Sequence, residues 1–252
     1  MGSDQNFDWK KSAASALDWW HDAGIEWLTG DEPRNWVALS AERSEMPVRG
    51  RPAMADRPSA PPPLALPDTL PNTLLAFEQW RLSDQAPDAA IAGARVGSRG
   101  AVGAPIMVIV DTPDRGDDAA GCLLSGATGR LFDNMMAAIG LSRDTLYIAP
   151  MCVVRPPATR LAPELEQALG VLLRHHIGLV AAKRLLIMAN APSRALLGAD
   201  IATARGSLHF FNHADAQLSA IATFHPRFLL ERPAAKAEAW KDLQLLASGS
   251  KM

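Results

Sequence analysis

From residue 105 onward the chain alternates short, unbroken apolar runs with longer segments of helical periodicity, and nothing else in it constrains the fold as strongly. The apolar runs are "PIMVIV" (105–110), "TLYIAP" (145–150), "RLLIMA" (184–189) and "LSAIAT" (218–223). None alternates apolar with polar residues, as a strand with one wet face would. Between them lie "GRLFDNMMAAIG" (129–140), closing on Gly140, "APELEQALGVLLRHHIGLV" (162–180), with Pro163 in its first turn, and "PSRALLG" (192–198). Past the fourth run, Leu229, Leu230, Ala234, Ala237, Trp240 and Leu243 fall roughly at helical spacing and predict a last helix. Strands buried on both faces and separated by helices predict an α/β fold, a three-layer sandwich with a central four-stranded parallel sheet.

Upstream, "SAASALDWWHDAGIEWLTG" (12–30) has the apolar spacing of an amphipathic helix, anchored by Leu17, Trp20, Ile25 and Leu28. "EMPVRGRPAMADRPSAPPPLALPDTLP" (45–71) is too dense in Pro for a regular element and predicts a flexible or polyproline-like linker. Helical propensity resumes at "NTLLAFEQWRLSDQ" (72–85). The expected organisation is an N-terminal helical segment (1–40), a Pro/Ala-rich linker (41–71) and an α/β domain (72–252).

With 48% apolar residues the chain has material for a real core. A net charge of −2 gives no global attraction to nucleic acid or to an anionic membrane, so DNA binding would depend on a local basic patch. The two cysteines, Cys122 and Cys152, form no metal-ligand pattern and cannot supply a four-thiolate cluster. No apolar run reaches spanning length, and "MGSDQNFDWKK" is too polar for a secretory signal. These features predict a soluble, cytoplasmic protein without a metal; it is expected to be a monomer.

Open parallel sheets place their ligand crevice beyond the carboxyl ends of the strands. Asp111 stands directly after the first apolar run, followed by Thr112 and Pro113. His225 follows the fourth run, and Pro226 behind it should hold it extended. A carboxylate and an imidazole facing one crevice suit acid–base or electrostatic catalysis. Gly126 and Gly129 flank a helix start, where unpaired backbone N–H groups can hold a phosphate. His175 and His176, late in their helix, read as complements to its dipole.

The order of these pieces, from "DTPD" through "GATGRLFDNMMAAIGLSRDTLYIAP", "RPPATR" and "APSRALLG" to "TFHPRFLLERP", resembles the uracil-DNA glycosylase superfamily over roughly residues 105–246. Within it the sequence is most similar to the family-4, iron–sulfur branch of bacteria and archaea. Residues 11–40 look like the N-terminal helix common in proteobacterial relatives. The resemblance implies a base flipped into a pocket at the strand ends. On the matching positions, His225 would stabilise the departing base and Asp111 would support water attack or the oxocarbenium-like sugar. Ser125 to Gly129 would approach DNA phosphate, with Arg155, Arg160, Arg205 and Arg227 around the mouth.

This chain departs from the family pattern at several of those positions. The loop carboxylate is Asp111 rather than Glu. Leu124 stands where an aromatic stacks on the base, a contact worth about 1–3 kcal/mol. Pro150 replaces the Asn that reads the base edge and offers no side-chain hydrogen bond. The cluster cysteines correspond to Phe77, Trp80, Val154 and Leu169, so the iron–sulfur cluster is expected to be absent, with apolar packing in its stead. Two readings follow. One is a base-excision DNA glycosylase acting on uracil or another damaged base through a remodelled pocket. The other is a catalytically inactive superfamily member that binds DNA, or a repair-protein partner through the 45–71 linker.

Overall fold

The computed structural model describes residues 66–67, 69–157, 161–213 and 216–248. The expected N-terminal helix, all but a few residues of the Pro/Ala-rich linker, and Arg160 lie outside them. In chain order the helices are α1 (Leu74–Arg81), α2 (Asp117–Ala120), α3 (Gly126–Ala137), α4 (Pro163–Val180), α5 (Asn190–Leu197), α6 (Ile201–Ala204), α7 (Pro226–Glu231) and α8 (Lys236–Ser248). The strands are β1 (Ile106–Val110), β2 (Leu146–Pro150), β3 (Arg184–Ile187), β4 (Leu208–His213) and β5 (Ala216–Ala222), joined in the order β2-β1-β3-β5-β4.

The four expected runs form β1, β2, β3 and β5, all mutually parallel, with Val110 opposite Pro150 and Ile187 opposite Ala222. The sheet has a fifth strand that the sequence reading omitted: β4 pairs antiparallel with β5 at the edge. Leu208 and Phe210 are exposed and Phe211 is buried, so β4 alternates and lacks the continuous apolar signature of a strand covered on both faces. The last helix is also corrected. The chain breaks between α7 and α8 at Arg232, because Pro233 has no N–H and turns the residue before it out of the helical region.

Strand side chains alternate between two cores. Met107, Ile109, Tyr147, Leu185, Ile187 and Ala222 face one layer, where Phe77 of α1 and Leu169, Leu172 and Ile177 of α4 pack. Ile106, Val108, Ile148, Leu186 and Ile221 face the other, against Phe132 and Met136 of α3 and Leu243 and Leu246 of α8. Phe77 and Leu169 lie inside the first core, Trp80 packs against it, and Val154 is fully buried. The described end of the linker also docks there through Leu66 and Leu70. None of the described helices is long and apolar enough to cross a membrane.

Two buried polar devices tie the first layer together. Arg81 donates to both oxygens of Asp88, at 2.7 and 3.0 Å, and to the Met151 carbonyl at 2.9 Å. Asp88 in turn accepts the Val153 N–H at 2.9 Å, pinning α1 to the chain that leaves β2. The Tyr147 hydroxyl donates to Glu78 and sits 2.8 Å from Nε2 of His176. That histidine does not complement a helix dipole as expected. Burial lowers its pKa to about 3, so it is neutral and donates to Tyr147. His175 likewise lies 2.8 Å from the Pro71 carbonyl through Nε2.

A depressed histidine pKa favours folding while the ring stays neutral. The stabilisation is complete above the ordinary value of 6.5 and is lost as pH falls through the folded value. The unfolding free energy is therefore expected to drop as pH falls below 6.5 toward 3. His176→Gln, which keeps an N–H donor for Tyr147, should flatten that slope. Chemical denaturation at a series of pH values checks it; equal slopes in both proteins would exclude His176 as the source.

Candidate active site at the carboxyl ends of the strands

The residues after β1, β3 and β5 meet around a cavity of about 490 Å³. Its wall includes Asp111, Thr112, Asn190, Arg194, His225 and Arg227, with Met188, Ile201, Phe224 and Phe228 as apolar lining. The size falls within the ordinary range for small-ligand sites, about 300–1,000 Å³.

His225 is extended, as Pro226 requires, and caps α7: its Nδ1 accepts the Arg227 N–H at 3.1 Å. An Nδ1 that accepts places the ring proton on Nε2. Burial pushes the pKa down to about 4, partly opposed by the nearby Asp111 charge, so the ring is neutral at ordinary pH. The result is a neutral N–H donor.

Asp111 begins the loop that follows β1. Its Oδ2 lies 3.6 Å from Nη2 of Arg227, whose Nη1 is bonded to Asp114. Burial raises the Asp114 pKa, and the guanidinium of Arg227 opposes that rise. The buried carboxylate of Asp117 shapes the rest of the loop. It accepts main-chain N–H groups from Asp114 at 2.8 Å, Leu124 at 3.0 Å and Ser125 at 2.8 Å. Arg143 grips the same turn from outside through the carbonyls of Leu123 and Leu124, at 2.9 and 3.0 Å. Between these holds Leu124 adopts a left-handed backbone with φ of 54°.

Native proteins pair nearly all buried polar atoms, so exceptions call for a reason. Among the described residues, the buried side-chain nitrogen and oxygen atoms without a hydrogen-bond partner are Asp111 Oδ1, Asp114 Oδ2 and His225 Nε2. Asp111 and His225 line this cavity, and Asp114 is bonded to Arg227, which also lines it. Unpaired donors and acceptors around one crevice are what a polar ligand would satisfy.

The other residues singled out in the sequence are placed differently. Thr112 lines the cavity, whereas Pro113 is buried and its carbonyl takes a hydrogen bond from Arg155 at 3.0 Å. Leu124 and Pro150, expected in a base pocket, do not line the cavity: Leu124 packs into the second core and Pro150 is buried at the end of β2. Arg205 bonds Asp242 at 3.2 Å and Glu238 at 2.6 Å and stacks over Phe224, on the groove beside α8. Arg155, Arg205 and Arg227 are thus all engaged within the protein.

Ser125 caps α3 with its backbone alone, and Gly126 beside it is exposed with φ of +57°. Gly129 is buried, and a Cβ there would stand 1.9 Å from the Leu124 carbonyl oxygen. Gly129→Ala is expected to cost about 1–3 kcal/mol or more, since the backbone of the strained turn has to move. A thermal midpoint equal to that of the wild type would show the turn to be more yielding than its bonding suggests.

Several site residues escaped sequence reasoning. Asp114 and Asp117 stand in the loop that follows the first apolar run, but only the chain's return at Leu124 shows what Asp117 holds. Asn190 follows directly on the third apolar run, a position that could have marked it. Asp242 accepts from Thr223 at 3.0 Å and fixes the end of β5 two residues before His225. No spacing along the chain predicts that contact.

Comparison with known proteins agrees with the geometry. The type-4 uracil-DNA glycosylase of Pyrobaculum aerophilum is 26% identical over 152 residues, covering 57% of this chain and 77% of its own. That of Archaeoglobus fulgidus is 25% identical over 148 residues, covering 56% and 74%. That of Sulfurisphaera tokodaii is 25% identical over 138 residues, covering 52% and 63%. The profile of the Uracil DNA glycosylase superfamily matches residues 98–244, a span that takes in the sheet, the Asp117-clamped loop and the His225 cap. The chain belongs to that superfamily.

Proposed function

We propose that the protein is a DNA glycosylase that hydrolyses the N-glycosidic bond of uracil or another damaged base, as a step of base-excision repair. The observation that carries this reading is the pair of unpartnered atoms, Asp111 Oδ1 and His225 Nε2, on two residues that line a cavity large enough for a base. A base extruded from the stack would enter with its carbonyl toward His225. As the C1′–N bond breaks, its electron pair leaves with the base and charge collects on that carbonyl oxygen. The neutral Nε2–H meets the charge without first giving up a proton. The sugar left behind carries positive charge, which the Asp111 carboxylate offsets. Water adds its oxygen to C1′, and its proton passes to Asp111 or to the departing base.

Arg227 holds Asp111 and Asp114 on one guanidinium, which supports a positioning role for it. Phosphate contact is left to the turn from Ser125 to Gly129, with Gly126 exposed at the start of α3.

The iron–sulfur cluster of the family-4 branch does not fit this chain. A cluster needs four thiolates, and the sequence has two cysteines. Cys152 is fully buried, donates to the Val154 carbonyl at 3.1 Å and has its pKa pushed up to about 12 by burial. The positions that would supply ligands are Phe77, Trp80, Val154 and Leu169. We infer that their packing does the structural work there.

Single-turnover excision tests the reading, using single- and double-stranded oligonucleotides that carry uracil, hypoxanthine or xanthine. At least one of these bases is expected to be released. A protein that binds the oligonucleotides and releases none of the three would be a non-catalytic, DNA-binding member of the superfamily.

A further inference from the structure

The wall of the cavity contains one more group whose chemistry is unspent. The sheet order places β3 between β1 and β5, so Asn190, just beyond β3, stands between Asp111 and His225. The Oδ1 of Asn190 accepts the Ile201 N–H at 2.9 Å. A main-chain N–H can only donate, so this contact fixes which end of the amide is which. The Nδ2 makes no hydrogen bond to the described residues, and Asn190 lines the cavity.

Arg194 and Arg227, the guanidinium donors on this wall, are already engaged, Arg227 with Asp114. Arg194 bonds both oxygens of Glu166 at 2.8 Å and Asp200 at 2.6 Å. Three polar side-chain atoms on residues that line the cavity make no hydrogen bond to the described residues: the acceptor Asp111 Oδ1 and the donors His225 Nε2–H and Asn190 Nδ2–H₂.

We infer that Asn190 is a specificity-determining residue that selects bases carrying an exocyclic carbonyl over bases carrying an amino group at the same place. The inference rests on the glycosylase reading above and extends it. Two donors suit uracil, with one carbonyl oxygen at His225 and one at Asn190; hypoxanthine has a single carbonyl oxygen, which falls to Asn190. Deamination turns the amino group of cytosine or adenine into such a carbonyl. A parent base would set its own N–H₂ against that of Asn190, leaving two buried donors without an acceptor. One lone pair of Oδ1 is committed to the Ile201 N–H, and the Nδ2 amino group is the donor that reads the carbonyl. The cavity has room for a purine as well as a pyrimidine.

The test measures binding, which does not depend on turnover. The probes are single-stranded oligonucleotides carrying one 2′-fluoroarabino nucleotide, resistant to glycosidic hydrolysis, with uracil, cytosine, hypoxanthine or adenine. Wild-type protein is expected to prefer uracil over cytosine, and hypoxanthine over adenine, by about tenfold or more. Asn190→Asp keeps an acceptor for the Ile201 N–H but replaces the donor with an oxygen, and should abolish or reverse the preference. Asn190→Ala should abolish it without reversal, and provides the readout should the Asp variant fail to fold. A wild-type protein without the preference, or variants that retain it, would overturn the inference. Excision is measured in parallel. A protein that shows the preference but cleaves nothing would overturn the glycosylase reading and leave the role of Asn190 standing.

Discussion

Replacing His225 with Ala is expected to slow single-turnover base excision by about 10²–10³-fold while leaving DNA affinity nearly unchanged. The reasoning rests on when the interaction forms. The Nε2–H is an unpaired, buried donor, and its best partner is a carbonyl oxygen on which charge has developed. An interaction that strengthens only in the transition state lowers the barrier without tightening the ground-state complex. The folded pKa of about 4 adds a second signature: His225 should contribute no rise or fall in rate between roughly pH 6 and 8. Because Nδ1 also caps α7, loss of the ring should cost about 1 kcal/mol of stability. His225→Asn separates the two effects, since Asn is a good cap but is too short to put its amide where Nε2 stands. Excision by the Asn variant at near wild-type rate would move the donor role elsewhere. Weakened DNA binding equal to the loss in rate would make His225 a binding residue.

The largest effect on stability is expected at Asp88. Asp88→Ala leaves the Arg81 guanidinium buried and removes the acceptor of the Val153 N–H. Removing one partner of a buried ion pair typically costs about 3–5 kcal/mol, a large share of the 5–15 kcal/mol that holds a typical domain folded. Replacing both members with apolar residues should be milder, because no uncompensated charge remains buried. Urea unfolding of the single and double variants decides the matter. A single variant within about 1 kcal/mol of wild type would mean that water reaches Arg81.

The parallel part of the sheet was legible because each of its strands is buried on both faces and so writes an unbroken apolar run. Helix α4 was legible from its periodicity and from Pro163 at its start. The edge strand β4 was not, since a strand with one exposed face alternates, and "SLHFFNH" is short. The break before α8 could have been read from Pro233, but the apolar spacing on either side of it imitates one helix. Within the site, Asp111 and His225 were legible because chain order places them directly after strands. Leu124 was misplaced for the opposite reason. Its left-handed backbone turns the side chain into the core, and that turn is dictated by Asp117 and Arg143, whose contacts with it span the loop. The arginines were legible as charges and not as partners. What neutralises Arg205 and Arg227 arrives from elsewhere in the sequence, at Asp242 and at Asp111 and Asp114.

The grip of Asp117 on three main-chain N–H groups has a consequence for evolvability. Every amino acid except proline brings the same N–H, so the course of this loop does not depend on which side chains it displays. Ser125, which contributes only its backbone here, can drift or be randomised in a library, while Asp111 keeps its place beside Arg227. The scaffold separates what the loop shows from where the loop runs, and the side chain at Ser125 can change without re-solving the fold.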